Sequence, residues 1–361
     1  MKKVDILIIG QGIAGTVLSH QLIQKGYSVF VIDHKKVNSA SRIAAGVYNP
    51  IAYRKLKRAE FVEFLLPSMQ DYYGKLQKEL NVSFFKPSSF LKLLTDIEEL
   101  NNWQIQCAKE SNTSYMSKTI FTSNFNHGIK NEIGAGQVLN SGVVKIPTLI
   151  EAWQKRLIES HRFSSGPFNY SDLEFHTDGI HYSDMCYEKV IFTEGVGVSK
   201  NPWFNWLPIQ KFKGEVLEIH APNLELDRMI NRGVFLLPLG NGYFKVGATH
   251  DWRKVDEVIT TEGRLELTDK LDKFINVPYT VVKHEAGLRP AARDRHPYIG
   301  VHPENNRLFV FNGLGSKGVI MAPWLVTKFI EGLDSFEWPP EFDIKRYIRF
   351  FNDSNTGHEK N

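Results

Sequence analysis

The chain has 361 residues, 42% hydrophobic and 23% charged, the balance of a globular protein long enough for a sizeable core and for two domains. Its 44 Lys and Arg against 40 Asp and Glu leave a net charge of +4, which permits an anionic substrate or RNA without arguing for either. Two distant cysteines, Cys107 and Cys186, exclude a disulfide framework and suit a reducing, cytoplasmic compartment, and with no run of about 18 apolar residues no membrane span is expected.

Residues 4–9 (Val-Asp-Ile-Leu-Ile-Ile) form a buried-strand pattern that runs into Gly10-Gln11-Gly12-Ile13-Ala14-Gly15. Helical apolar spacing follows at Val17, Leu18, Leu22 and Ile23, and a second strand, 27–32, is closed by Asp33. This is the dinucleotide fingerprint in its full context. Gly10 allows the tight turn, Gly12 admits a pyrophosphate to the backbone, and Gly15 lets helix and strand pack closely. Free N–H groups around Ile13 and Ala14 meet the phosphates, and Asp33 accepts from a ribose diol. His34 either touches the adenosine or faces solvent.

Residues 37–50 are small and turn-forming, which suits close approach to a flat ligand. A helix is expected over 59–80, interrupted or kinked at Pro67. Strands are expected at 82–85 and 90–94, then a helix over 96–109 capped by Asp96 with Glu99 in the box position. A short strand at 142–144 leads to a helix over 147–161 with Pro147 in its first turn. Residues 173–176 and 180–182 read as a hairpin around Asp178-Gly179, and 189–193 as a buried strand ending at Glu194-Gly195. Strands then dominate (212–219, 233–238, 243–249), followed by a helix at 265–274, strands at 279–284, 298–301 and 308–311, and a helix at 316–331.

The late region carries the second signal. Gly287-Leu288-Arg289-Pro290 precedes a loop, Asn312-Gly313-Leu314-Gly315-Ser316-Lys317-Gly318, that opens the last helix. Three glycines before a helix again present backbone N–H groups to negative charge, and a reduced flavin carries such charge at N1 and the C2 carbonyl. A nicotinamide enzyme does not need this second loop, although it remains a rival for the fingerprint alone.

These stretches resemble the D-amino-acid oxidase (DAO) family of FAD-dependent oxidoreductases, the group of glycine oxidase and sarcosine oxidase, over nearly the whole chain. Ser41-Arg42-Ile43-Ala44-Ala45-Gly46 is similar to the family's flavin-facing segment, and Phe192-Thr193-Glu194-Gly195 to its second nucleotide-side turn. Lys213-Gly214-Glu215 is similar to its entry into the substrate sheet. The final loop resembles that of the oxidoreductase domain of a bifunctional tRNA wobble-uridine modification enzyme. The resemblance implies FAD, held noncovalently because no cysteine follows Cys186. Its contacts would be Gly10, Gly12, Ile13, Ala14, Gly15, Asp33, His34, Ser41, Arg42, Ala44, Ala45, Gly46, Leu173, Glu194, Gly195, Gly313, Leu314, Gly315, Ser316, Lys317 and Gly318.

It further implies that Arg289 holds a substrate carboxylate, a bidentate task suited to its planar fork, unless it is instead paired to a structural acid such as Asp294. Lys245 falls where relatives place a lysine beside flavin N5 to promote reaction with oxygen; otherwise it is a solvated strand lysine. Phe235 stands where a tyrosine often helps hold the carboxylate, and Ser316 where glycine oxidase has a second arginine, so Lys317 is the nearest alternative cation for substrate.

The remaining signals are weaker. The twelve histidines contain no H-E-x-x-H pattern and no tight cluster, so no metal is expected. Arg54-Lys55-Leu56-Lys57-Arg58 attracts an anionic substrate or RNA, or simply faces water. The expected fold is α/β: a Rossmann-type FAD-binding domain (1–50, 135–200 and 285–361) with a discontinuous α+β substrate domain (51–134 and 201–284) on a large, mostly antiparallel sheet. The expected function is oxidation of a C–N bond in a small-molecule amine or amino acid, with oxygen or another electron acceptor. The alternatives are removal of a carboxymethyl group from a tRNA wobble uridine, and a flavoprotein with a binding role.

Overall fold

The computed structural model describes residues 1–34, 38–52, 56–121 and 126–356. The architecture is α/β, as the sequence implies, and rests on two sheets. In the first, Lys2–Ile9 lies between two parallel neighbours, Val29–Asp33 and Met185–Phe192. Phe163–Ser165 continues the parallel order beyond Val29–Asp33, and Asn305–Asn312 beyond Met185–Phe192. Antiparallel strands finish the side beyond Met185–Phe192: Gly179–Tyr182 and Glu174–His176 follow its first half, and Tyr298–His302 follows Asn305–Asn312 on its second half, while Phe163–Ser165 is the opposite edge. Ile6, Leu7 and Ile8 are fully buried, which is why this strand reads as an unbroken apolar run: parallel strands are covered on both faces.

Helices Ile13–Gln24, Ile146–Glu159 and Gly318–Glu331 pack on this sheet in a common core. Helix Val62–Leu80 joins that core and runs unbroken through Pro67. Its buried Leu65, Leu66, Met69, Tyr73 and Leu76 offset the one backbone bond that the proline forfeits. Asp96 caps helix Ile97–Ala108 as expected, accepting from the Glu99 amide at 2.7 Å.

The second sheet has nine strands, in the order Thr280–Ala292, Ile209–His220, Tyr243–Gly247, Val234–Gly240, Ile230–Arg232, Phe85–Leu93, Ala135–Val144, Val47–Tyr48, with Met116–Phe121 also on Ala135–Val144. Every pairing is antiparallel except that of Ile230–Arg232 with Phe85–Leu93. Helix Thr261–Asp272 covers one face through Leu267 and Leu271.

Three segments that the sequence groups with the nucleotide-binding unit hydrogen-bond into this second sheet, the short Val47–Tyr48 at its edge among them. Ala135–Val144 pairs with Phe85–Leu93, and Thr280–Ala292 pairs with Ile209–His220 along its whole length. The second strand is longer than its apolar pattern because it carries Pro290 opposite Lys211. A proline is tolerated there because the strand lies at the sheet edge. Of the basic cluster, Arg54 and Lys55 lie outside the described residues, while Lys57 and Arg58 are exposed in a short ribbon with Ile51–Ala52. Among the described residues no helix is long and apolar enough to cross a membrane.

Candidate active site

A cavity of about 950 Å³ is lined by both sheets. At its nucleotide end the fingerprint glycines are needed for want of space. A Cβ on Gly15 would lie 1.9 Å from the Gly10 carbonyl oxygen, and one on Gly10, where φ is +101°, would lie 2.8 Å from the Thr193 oxygen. Thr193 fastens this turn by donating its hydroxyl to the Ile9 carbonyl at 3.0 Å. The Gln11 amide donates to Asp33 Oδ1 at 2.8 Å, which fixes the carboxylate at the cavity wall. Burial pushes the Asp33 carboxyl above its ordinary range, against the pull of the Gln11 bond.

Two helices start at this cavity, Ile13–Gln24 and Gly318–Glu331. Neither has an acidic residue in its first turn or a side-chain bond from its N-cap residue. They lie side by side: a Cβ on Gly318 would come 3.0 Å from Ile13 Cγ2. Two uncapped positive helix ends facing one cavity suit a ligand with negative charge at two places along its length. The cradle therefore fits FAD: the fingerprint would hold the pyrophosphate and the later loop would meet the flavin.

The wall includes most of the expected contacts. Ser41, Arg42, Ala44, Ala45 and Gly46 line it together with His34, Glu194, Gly195, Leu314, Gly315 and Ser316. Ser41 Oγ accepts from the Ile13 amide at 3.1 Å and so ties the Ser41–Gly46 segment to the first helix. Glu194 is buried and held by Tyr170 and by Asn201, whose Nδ2 donates at 2.8 Å; burial pushes its carboxyl up.

Four expected FAD contacts are elsewhere. Gly15 packs behind the turn, Leu173 is core, and Gly313, with φ +78°, turns the chain against Tyr298 and Ala292. Lys317 is exposed and does not line the cavity, so the structure gives no support to it as a substrate cation. Leu173 is displaced by Phe168 and Tyr170, which come from a loop without secondary-structure periodicity.

Lys245 also stands behind the wall. Its ammonium donates to the Ile43 carbonyl at 2.7 Å, inside the flavin-facing segment, with Glu285 at 4.0 Å. Strand alternation places it opposite buried Phe244 and Val246, as expected. Burial pulls its pKa below the ordinary lysine value.

Arg289 lines the other end of the cavity. Its guanidinium lies 5.1 Å from the centroid of the Phe212 ring, and Nη1 donates to the Thr249 carbonyl at 3.4 Å, a long bond. Among the described residues no carboxylate lies within 4.0 Å of it. Asp294, the alternative partner, accepts instead from Arg346 Nε at 2.8 Å. Burial without a counter-charge pushes the Arg289 pKa down to about 10, so the group stays cationic at neutral pH. His250 stacks on the same Phe212 ring at 5.9 Å and lines the cavity; burial, then the charge of Arg289, lowers its pKa. Phe235 lines the cavity and packs over Gly247, where a Cβ would lie 2.8 Å from its ring.

Sequence reasoning missed His250, Glu257, Glu266 and Lys270 at this end of the cavity. The last three come from the loop and helix beyond strand Tyr243–Gly247, and no local motif marks them.

Comparison with known proteins agrees with this geometry. The family model "FAD dependent oxidoreductase" (DAO) matches residues 5–326. A glycine oxidase of Bacillus licheniformis is 25% identical over 340 residues, covering 89% of this chain and 90% of that protein. The tRNA 5-methylaminomethyl-2-thiouridine biosynthesis bifunctional protein MnmC of Marinobacter nauticus is 24% identical over 353 residues, 89% of this chain; the chain spans only 54% of that relative. The crystal structure of glycine oxidase from Geobacillus kaustophilus superposes with a TM-score of 0.75 at 19% identity, covering 96% of this chain and 98% of that one.

Proposed function

The chain belongs to the DAO family of FAD-dependent oxidoreductases, and on that footing we propose that it oxidises a C–N bond beside a carboxylate, in an amino acid or an N-substituted glycine. The observation that carries this reading is the half-buried guanidinium of Arg289 at one end of the cavity, with no carboxylate within 4.0 Å among the described residues. A buried cation without a partner is costly, and a bidentate substrate carboxylate is the group its fork fits best.

FAD, when bound, supplies the two-electron acceptor. Arg289 fixes the carboxylate and so aims the α-carbon along the cavity. The C–H bond breaks with its electron pair leaving as hydride, the amine nitrogen lone pair closes a C=N bond, and the nitrogen gives up its proton. Water then hydrolyses the imine to a carbonyl compound and an amine. With the amine bound neutral, no side-chain base is required. Phe235 in the wall and Phe212 beneath Arg289 supply the apolar surface of this end. Lys245, behind the wall and bonded to the Ile43 carbonyl, would act on the oxygen reaction as a cation through the Ser41–Gly46 segment.

The test is anaerobic addition of a panel of amino acids and N-substituted glycines to the yellow protein, followed by air. Bleaching by at least one carboxylate-bearing amine supports the reading. A flavin that no amine reduces contradicts it and favours a binding role.

A second reading is oxidative removal of the carboxymethyl group from a modified tRNA wobble uridine. The similarity to MnmC supports it. So does half-exposed Trp252, stacked at 4.5 Å on the Phe212 ring that underlies Arg289, a platform on which a base could stack. Salt-dependent binding of bulk tRNA, lost in Trp252→Ala, would favour it; no binding at low salt would remove it.

A further inference from the structure

We propose that the edge hairpin of the first sheet, Glu174–His176 with Gly179–Tyr182, is a binding site for a first-row divalent transition ion of the Zn²⁺ or Cu²⁺ class. Its ligands are Glu174, His176 and His181. Nothing in the spacing along the chain marks it, because the donors converge through strand pairing. Glu174 is directly opposite His181 in the antiparallel register, and His176, two residues on from Glu174, shares their face.

The donor atoms of these three side chains all lie within 4.8 Å of one another. His176 Nε2 is 3.1 Å from Glu174 Oε2, and the two imidazole rings are stacked at 4.1 Å and 23°. Ligands bound at 2.0–2.1 Å around a tetrahedral ion stand about 3.3 Å apart, so the set closes on an ion once side-chain rotation splays the two stacked rings. Asp178, in the turn, is 3.1 Å from His181 Nε2 but groups with His181 and Cys186 rather than with Glu174 and His176, so water completes the coordination of the three ligands. Two imidazoles with carboxylates select Zn²⁺, Cu²⁺ or Ni²⁺ over Mg²⁺ or Ca²⁺.

The hairpin is a firm support. Arg307 donates to the His176 carbonyl at 2.8 Å and to the Thr177 carbonyl at 3.2 Å. Gly179 lies so close to the next strand that a Cβ would come 2.5 Å from Cys186 Sγ. The site also has a route to the cofactor cavity. Tyr182, on the second strand, stacks at 4.7 Å on Phe168, which lines that cavity. An ion on the hairpin would therefore stiffen the wall at the nucleotide end without touching the reacting atoms.

The experiment is calorimetric titration of Zn²⁺ into the chelator-treated, FAD-loaded protein. One equivalent should bind with a dissociation constant of about 10 µM or tighter, and Mg²⁺ should give no heat. His176→Ala and His181→Ala should each weaken Zn²⁺ binding by about tenfold or more, while the exposed His127→Ala leaves it unchanged. Unaltered flavin absorbance would show that the variants are folded. Electron paramagnetic resonance of the Cu²⁺ complex should reveal two bound imidazole nitrogens. No saturable binding up to about 100 µM Zn²⁺, or equal affinity in the His176→Ala/His181→Ala double variant, would overturn the proposal.

Discussion

Gly214 and Arg289 occupy one space: a Cβ on Gly214 would stand 2.1 Å from Arg289 Nη1 and 2.2 Å from its Cζ. The guanidinium lies flat across the neighbouring strand because that strand has no side chain there. Phe212, two residues earlier on the same face, provides the ring beneath it. Gly214 therefore makes room for the arginine, while buried Lys213 and Glu215 on either side are held by Asp256 and Thr260.

Replacing Gly214 by Ala should displace Arg289 while leaving the nucleotide end intact. The expected outcome is normal FAD content, a loss of stability of about 1–3 kcal/mol from overpacking, and a KM for substrate raised tenfold or more. Steady-state kinetics on the flavin-loaded variant would check it; an unchanged KM would show that the guanidinium does not need this position.

Small carboxylates without an oxidisable amine, such as glycolate, should bind at Arg289 and raise the melting temperature in proportion to the logarithm of their concentration. Arg289→Lys keeps the charge but loses the fork, so glycolate affinity should fall by roughly 2 kcal/mol, about 30-fold. A thermal shift that survives in Arg289→Met would place the carboxylate elsewhere.

Lys245 has a pKa pulled below 10.5 by burial, so its ammonium is lost at a lower pH than an exposed lysine would lose it. If that cation promotes oxygen reduction, reoxidation of the reduced protein by air should be fast at neutral pH and slow as pH rises through the depressed pKa. Lys245→Met should be slow at every pH, with anaerobic reduction nearly unaffected. Stopped-flow measurement of both half-reactions separates the two; equal slowing of reduction and reoxidation would assign Lys245 to the support of Ile43 instead.

Gly15→Ala should be severely damaging, because its Cβ would meet the Gly10 oxygen at 1.9 Å and Thr193 Oγ1 at 2.8 Å. We expect colourless or insoluble protein and a destabilisation of more than about 3 kcal/mol. Yellow, stable protein would mean that the turn can open at no penalty, against the packing described.

The nucleotide end was legible in the sequence because its signals are local. Strand, turn, helix and Asp33 follow one another within 33 residues, and each glycine has a steric reason that any copy of the motif shares. The other end was less legible. Arg289 could be named from its motif, but its lack of an acid partner depends on Asp294 turning to Arg346, a contact made across 52 residues. Glu266 and Lys270 reach the cavity only because helix Thr261–Asp272 folds back over the second sheet, and His250 because the chain after strand Tyr243–Gly247 returns to bridge Asp251 to Lys213. Strand Ala135–Val144 was underestimated because its pairing partner lies some 50 residues earlier and Gly136, Asn140, Ser141 and Gly142 dilute its apolar pattern. The histidine pair on the hairpin was invisible for a related reason: ligand spacing rules describe helices and loops, whereas here register brings the donors together.

The most direct test of the account is the rate of anaerobic flavin reduction by an amino acid that bleaches the protein, compared with its methyl ester and its decarboxylated amine. If Arg289 aims the substrate through its carboxylate, the parent acid should reduce the flavin about 100-fold or more faster than either analogue, and Arg289→Met should erase that preference. Equal rates for acid, ester and amine in the wild-type protein would contradict the assignment of Arg289 and with it the proposed substrate class.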